Sequence, residues 1–515
     1  MNDELVDWME VHEAVESQNV KLLAQLVANS PAVDYVSYDG LTPLIRALQL
    51  QEEAAVLLLL ERALLNWFPH CATSPLASAV QYFPEMVPIL IEKGASLRSS
   101  ISPITAAVKA NDPKMIDYLL SNGAPINGGD IPPLHQAVLD SNLAMVELLL
   151  AEGAFVDWQD SNGTTALLLS TEDPQVEVVQ VLLDRQANIE IGNLNGRTPL
   201  ISAAGYGNTE IVDLLLQYDA DVGHANNKGV TPLHMAVYAN SMVCAHMLLT
   251  QGANVNASDV NGNSPIMLAF RHEDSADMVA MLLDLNANVN SVSANGLTVL
   301  HRAISNENAG MVATLLRRGA TVNHPLPGGA TPLHSAVFHQ NTEIVDILLQ
   351  FQANVDLPLT DGTAPIHSAV RMPSLDIATR LLDRGCSQGG SLHVAVQTGS
   401  YAHAKLLLRY KAEVNAVDRY GRTPIKYAIE QRDVDVTILL LSSGALCSVK
   451  QIPDFAPYRA WALGHTSDLV AHAMVAASPP ASRLCDDLNR VILKFLLPTA
   501  PIVTALAWRV VESIA

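Results

Sequence analysis

Between Thr231 and Gly262 the chain reads TPLHMAVYANSMVCAHMLLTQGANVNASDVNG: two short apolar stretches, a glycine, then a polar hairpin-like segment. In the first stretch Leu233, Ala236 and Val237 fall at helical spacing, and in the second Val243, Met247 and Leu248 do so. Pro232 stands where a first helical turn tolerates a missing N–H, behind Thr231 as a cap. Gly252 ends the second helix, where a left-handed backbone suits glycine. Helices of about nine residues do not persist alone in water. The pair must therefore bury its stripes on itself and on a neighbouring pair.

The same pattern returns along the chain. Its turn-helix slot begins at Met9, Thr42, Ser74, Ser102, Pro132, Thr165, Thr198, Thr231, Ser264, Thr298, Thr331, Ala364, Gly390 and Thr423, with a degenerate copy at Ala456. From Pro132 to Ala364 the spacings are 33, 33, 33, 33, 34, 33 and 33, a register that chance does not hold. T-P-L-H-x-A at this period resembles the ankyrin repeat, over roughly residues 5–475. The resemblance implies an all-α solenoid, a superhelix of stacked helix-turn-helix units with short hairpin loops, each touching only its neighbours. Ala203, Ala236, Ala303, Ala336 and Ala369 recur where helices must approach closely.

Departures from the period suggest an organisation. Intervals shorten to 28 at Ser74–Ser102, 30 at Ser102–Pro132 and 26 at Ala364–Gly390. The chain is accordingly divided into an N-terminal capping repeat (1–41), irregular repeats (42–132), regular repeats (133–385), C-terminal repeats with a degenerate cap (386–475) and a helical tail (476–515). At the helix-ending slot Gln186, Asp219, Asn286, Gln352 and Lys411 replace glycine, each at a cost of about 1 kcal/mol or less.

Composition narrows the chemistry. The chain has 515 residues, 49% of them hydrophobic but only 5% aromatic, so its core is aliphatic. With 52 acidic against 30 basic residues the net charge is −22. That balance argues against nucleic acid and anionic lipid as general partners, while a basic protein remains compatible with it. No apolar run is long enough to span a bilayer and the start lacks an apolar leader segment. Five scattered cysteines without C-x-x-C spacing fit a reducing, cytoplasmic or nuclear, compartment.

Nothing in the pattern assembles a reaction centre. Seven histidines (His12, His135, His234, His301, His334, His367 and His393) occupy the fourth place of the slot, each at least one repeat from the next. They cannot converge on one metal ion, which needs bonds near 2 Å. The resemblance implies instead that each bonds the Thr of its motif and nearby backbone. Phosphate-binding and nucleophile-elbow motifs are missing. The expectation is a protein without enzymatic activity, cofactor or metal. Asn256, Asn290, Asn323 and Asn415 stand where some ankyrin repeats are hydroxylated, and Asn also has a structural role there.

The resemblance places a protein partner on a concave surface lined by the first helices and the hairpin tips. Residues seven after each slot start give Tyr238, Arg271, Phe338 and Arg371; those four after it add Met235, Arg302 and Tyr427. Aromatic and arginine side chains are common interface anchors. Trp67, Phe68, Trp158 and Tyr420 interrupt otherwise polar finger tips, as candidate contacts. After AASPPAS the repeat stops, and SRLCDDLNRVILKFLLP puts an apolar stripe on one face. That tail reads as a terminal cap or, alternatively, as a SOCS-box-like or F-box-like adaptor for ubiquitin-ligase components. Against the SOCS box, Ala481 stands where Leu is expected and the proline spacing differs.

Overall fold

A computed structural model describes residues 3–29, 33–66, 73–99, 102–272 and 275–446, without the side chains of 3–9. Trp67 and Phe68, the degenerate repeat at Ala456 and the tail 476–515 lie outside the described residues. Fourteen successive helix pairs fill those residues, with one 3₁₀ turn at Pro84–Met86. Among them β-type pairing is limited to an isolated antiparallel bridge between Val292 and Thr298.

Helix starts follow the slot. Pro232–Tyr238 and Pro199–Tyr206 begin on their prolines. Thr198 Oγ1 accepts the N–H of Ile201 at 3.4 Å, and Thr165 Oγ1 that of Leu168 at 3.2 Å. Such caps satisfy donors that a short helix otherwise leaves open. The first slot differs: Met9 lies inside a longer helix, Asp3–Glu16, and does not start one.

Both helices of a repeat end in the same way. Gly252 donates to the Leu249 carbonyl and Ala253 to that of Leu248, the paired bonds of a left-handed C-terminal cap. Asn240 and Ser241 make the equivalent bonds to Val237 and Ala236 after the first helix. Asn240 has φ +54°, and Gln51, Asn111, Ser141, Glu307 and Gln340 repeat that geometry, a left-handed turn the sequence pattern did not show. The five replacements at the glycine slot are left-handed as expected, Gln352 at φ +62°. Gln352→Gly should therefore raise stability by about 0.5 kcal/mol, the left-handed strain relieved less the extra freedom of the unfolded chain. A lower urea midpoint for this variant contradicts that account.

The helices gather into two compact units, dividing between Asn288 and Val289. In the N-terminal unit the first helices, from Pro133–Leu139 to Pro265–Ala269, stack in one layer. The second helices, from Leu143–Ala151 to Met242–Thr250, stack in another. The C-terminal unit repeats the arrangement from Val299–Ser305 to Val434–Ser442. Between layers, Leu233, Ala236, Val237 and Leu248 have no more than traces of exposed surface. The predicted second stripe was out of phase. Cys244, Ala245 and Leu248 face inward, Met247 is half-buried, and Val243 is 57% exposed. Over nine residues one apolar position more or less shifts the apparent face, so tertiary packing chose it.

Candidate interaction surface

Inter-repeat stitching decides which polar groups are free for a partner. His234 receives the Thr231 backbone N–H at Nδ1, 3.2 Å away, with the Thr231 hydroxyl at 2.8 Å. Its Nε2 donates to the Asn263 carbonyl of the next repeat at 3.1 Å. His135, His334, His367 and His393 make the same bond forward to Thr164, Thr363, Gly389 and Arg422. Burial, the largest cause, holds His135, His234, His334 and His367 below the ordinary imidazole range. His301 differs: its Nε2 faces the Ala330 carbonyl without a well-formed hydrogen bond, and its ring packs edge-on to His324 at 6.4 Å. Burial first, then His324, lowers its pKa to about 4.

The hairpins carry a second line of stitches. Asn256 donates to the Asn286 carbonyl at 3.2 Å and accepts the Asn288 N–H at 2.7 Å. Asn290 bridges to Gly319 and Thr321, and Asn415 to Gly444 and Leu446, in the same manner. Asn323 accepts the N–H of Asn354 at 2.8 Å. These asparagines are thus engaged in holding one repeat to the next. Within each finger an acidic or amide side chain folds the tip, as when Asp259 Oδ1 accepts the N–H groups of Asn261 and Asn263. Gly163, at φ +74°, closes one such turn; a Cβ there would lie 3.1 Å from the Leu194 backbone nitrogen. Leu194 N–H in turn bonds the Asn162 carbonyl of the previous finger at 3.0 Å.

The face of the first-helix layer that the second helices leave uncovered carries most of the anchors read from sequence. In the N-terminal unit Tyr238 is 44% exposed and the Arg271 guanidinium stacks on its ring, 4.7 Å from the centroid. Met235 is half-buried over Gly205, where an added Cβ would meet the Met235 terminal methyl at 2.7 Å. In the C-terminal unit Phe338 is 71% exposed, edge-on to His339, while Arg371 is exposed and Arg302 half-buried. Tyr427 is half-buried and donates to Asp418 at 2.6 Å, beneath the Arg422 guanidinium. That bond above all, with backbone donors from Arg422 and Tyr420, takes the Asp418 carboxyl down to about 2. At the finger tips Trp158 and Tyr420 are exposed, and Arg419 stacks on Tyr420 at 4.9 Å.

Sequence reasoning missed several members of this surface. Tyr206 is exposed with Arg197 over its ring at 5.2 Å, and Arg197 reaches Glu172 at 3.6 Å. Its helix, Pro199–Tyr206, runs one residue longer than Pro232–Tyr238, so the seventh-residue rule selected Gly205 instead. Exposed Leu139 obeys the rule, and only its lack of an aromatic or charged group kept it out. Among the described residues no three His, Cys, Asp or Glu side chains are grouped to hold a metal ion. Cys244 and Cys386 are buried free thiols, and burial pushes Cys386 up to about 12.

Paired helices, capped alike and bound only to the pair before and after, define each unit as an α-helical repeat stack with an open side. The chain belongs to the ankyrin-repeat family. The family model, three ankyrin repeats long, matches residues 104–193, 134–226, 177–259, 233–326, 300–390 and 389–451, together more than half of the chain. A putative ankyrin repeat protein, L271, of Acanthamoeba polyphaga mimivirus is 36% identical over 107 residues, 19% of this chain and 14% of that protein. The ADP-ribosylation factor GTPase-activating protein AGD2 of Arabidopsis thaliana is 40% identical over 68 residues, 13% of this chain and 9% of that protein. The chain thus spans only a small part of each relative's length, and the GTPase-activating function belongs to that second protein. Ankyrin repeats are in general protein-interaction modules and not enzymes. No helix of the described residues is long and apolar enough to cross a membrane.

Proposed function

We propose that this protein is a non-enzymatic scaffold that binds a protein partner on the open face of its first-helix layers. In the N-terminal unit Met235, Tyr238 and Arg271 are the anchors; in the C-terminal unit they are Arg302, Phe338, Arg371 and Tyr427. One observation carries the reading: Tyr238 and Phe338 stay exposed on helices whose other faces are fully packed. Covering the part of these aromatic groups that lies in water is worth about 1–2 kcal/mol each, which an interface recovers. Trp158 and Tyr420 extend the same reading to the finger tips.

The test is cross-linking of the full chain to its cellular partners, followed by mapping of the linked residues. Cross-links from a partner should fall near Tyr238 and Phe338. Tyr238→Ala with Phe338→Ala should weaken capture by about tenfold or more, as hot-spot truncation does, with an unchanged urea midpoint. Cross-links confined to the second helices sink the proposal.

A further inference from the structure

The charge of the chain is not spread evenly. Residues 1–288 hold 35 Asp and Glu against 11 Lys and Arg, whereas residues 289–515 hold 17 against 19. The net negative charge of the protein therefore resides in its N-terminal unit. Within residues 132–272 the count is 15 acidic to 4 basic, and two of those four, Arg197 and Arg271, already lie on tyrosine rings.

On the open face of this unit the seventh and eighth positions of successive repeats stand side by side: Leu139 with Asp140, Glu172 with Asp173, Gly205 with Tyr206, then Tyr238. Leu139, Tyr206 and Tyr238 are exposed, as are Asp140 and Asp173. Half-buried Met235 fills the gap above Gly205 with a deformable thioether, a side chain suited to repacking under a ligand. Apolar groups thus flank the carboxylates, Leu139 at one end of the strip and the two tyrosines at the other. The two tyrosines show what they accept, since each carries a guanidinium on its face.

We propose that this strip binds an arginine-rich, amphipathic polypeptide segment. The proposal rests on the scaffold reading above and names its partner's chemistry for one unit. Apolar side chains of the segment cover Leu139, Met235 and the exposed parts of the two tyrosines, while its arginines meet Asp140, Asp173 and Glu172, the last shared with Arg197. The negative field of the unit steers a basic chain inward and repels an acidic one. Leu139 and Tyr238 are three repeats apart, hence about 30 Å at helix spacings of up to about 10 Å. That length corresponds to roughly nine residues of extended chain.

The test uses the full chain and fluorescein-labelled peptides of about twelve residues, matched to that length: one alternating Arg and Leu, one Glu and Leu, one Arg and Ser. Fluorescence anisotropy should show tight binding of the Arg–Leu peptide, none of the Glu–Leu peptide, and at least about fivefold weaker binding of the Arg–Ser peptide. Tyr206→Ala with Tyr238→Ala, and Asp140→Asn with Glu172→Gln and Asp173→Asn, should each weaken binding by about fivefold or more. Glu147→Gln with Glu177→Gln and Glu210→Gln removes as many charges from exposed sites on the second helices, and should leave it within about twofold. Equal loss in this last variant, absence of Arg–Leu binding, or equal binding of the Glu–Leu peptide overturns the inference. None of those outcomes touches the scaffold reading, which the cross-link map decides. Peptide binding on the strip with native cross-links confined to the second helices sinks that reading and, with it, the assignment of the strip to the native partner.

Discussion

Lowering the pH from 7 to 5 is expected to destabilise this protein well before its carboxylates protonate. At His234 and His334 the neutral imidazole is favoured for a structural reason. The backbone N–H of the cap threonine points at Nδ1, so that nitrogen must keep its lone pair, and Nε2 holds the only proton. A second proton would set N–H against N–H in a site that water does not reach. His12, His135, His234, His334 and His367 are all shifted below the ordinary value, with burial the leading cause, and His301 falls from 6.5 to about 4.

The sign follows from linkage. Between the folded and unfolded values the unfolded chain binds more protons, so stability rises with pH there and is lost as pH falls below about 6.5. His301 alone accounts for about 2 kcal/mol at pH 5, taking 1.36 kcal/mol per pKa unit. Below pH 4 the loss of the Asp418 bonds adds in the same direction. Urea titrations followed by circular dichroism at pH 7 and pH 5 measure the effect. His301→Gln should flatten the pH dependence by roughly its own share. An unchanged midpoint between the two pH values means that the histidines are not held neutral.

The largest single-residue effect is expected at the second helix of the repeat from Thr231. Leu248→Ala removes a fully buried side chain between the two layers, which costs about 3 kcal/mol in transfer and cavity terms. Val243→Ala, five residues earlier on the same helix, removes a largely exposed one and should change stability by less than about 0.5 kcal/mol. Because stability in a repeat stack is a sum of local terms and neighbour interfaces, the loss should also appear as earlier amide exchange in the adjoining repeats. Equal effects of the two substitutions contradict the packing described here.

Helix phase is where the sequence was hardest to read. Leu233, Ala236 and Val237 were placed correctly because Pro232 and His234 anchor the register of the first helix. The second helix has no such marker, and Val243 passed for a core residue beside Cys244 and Ala245. Left-handed turns at Asn240 or Gln340 were invisible for a similar reason. Glycine announces that conformation, whereas a polar residue held there by two backbone bonds does not. On the surface, Tyr238 and Phe338 could be found by counting from the slot. Arg197 on Tyr206 could not, since its partner lies beyond the counted positions and one helix is longer than its neighbours.

By itself the sequence determined the repeating unit: its period, its proline-led first helices and the recurring place of its histidines. Those are local properties, written in spacing and in residues with narrow conformational ranges. Only the tertiary structure decided which face of each second helix turns inward, which polar residues adopt left-handed turns and which arginines lie on which tyrosines. Helices of five to nine residues have no fold of their own to settle such choices, so the neighbouring repeat settles them.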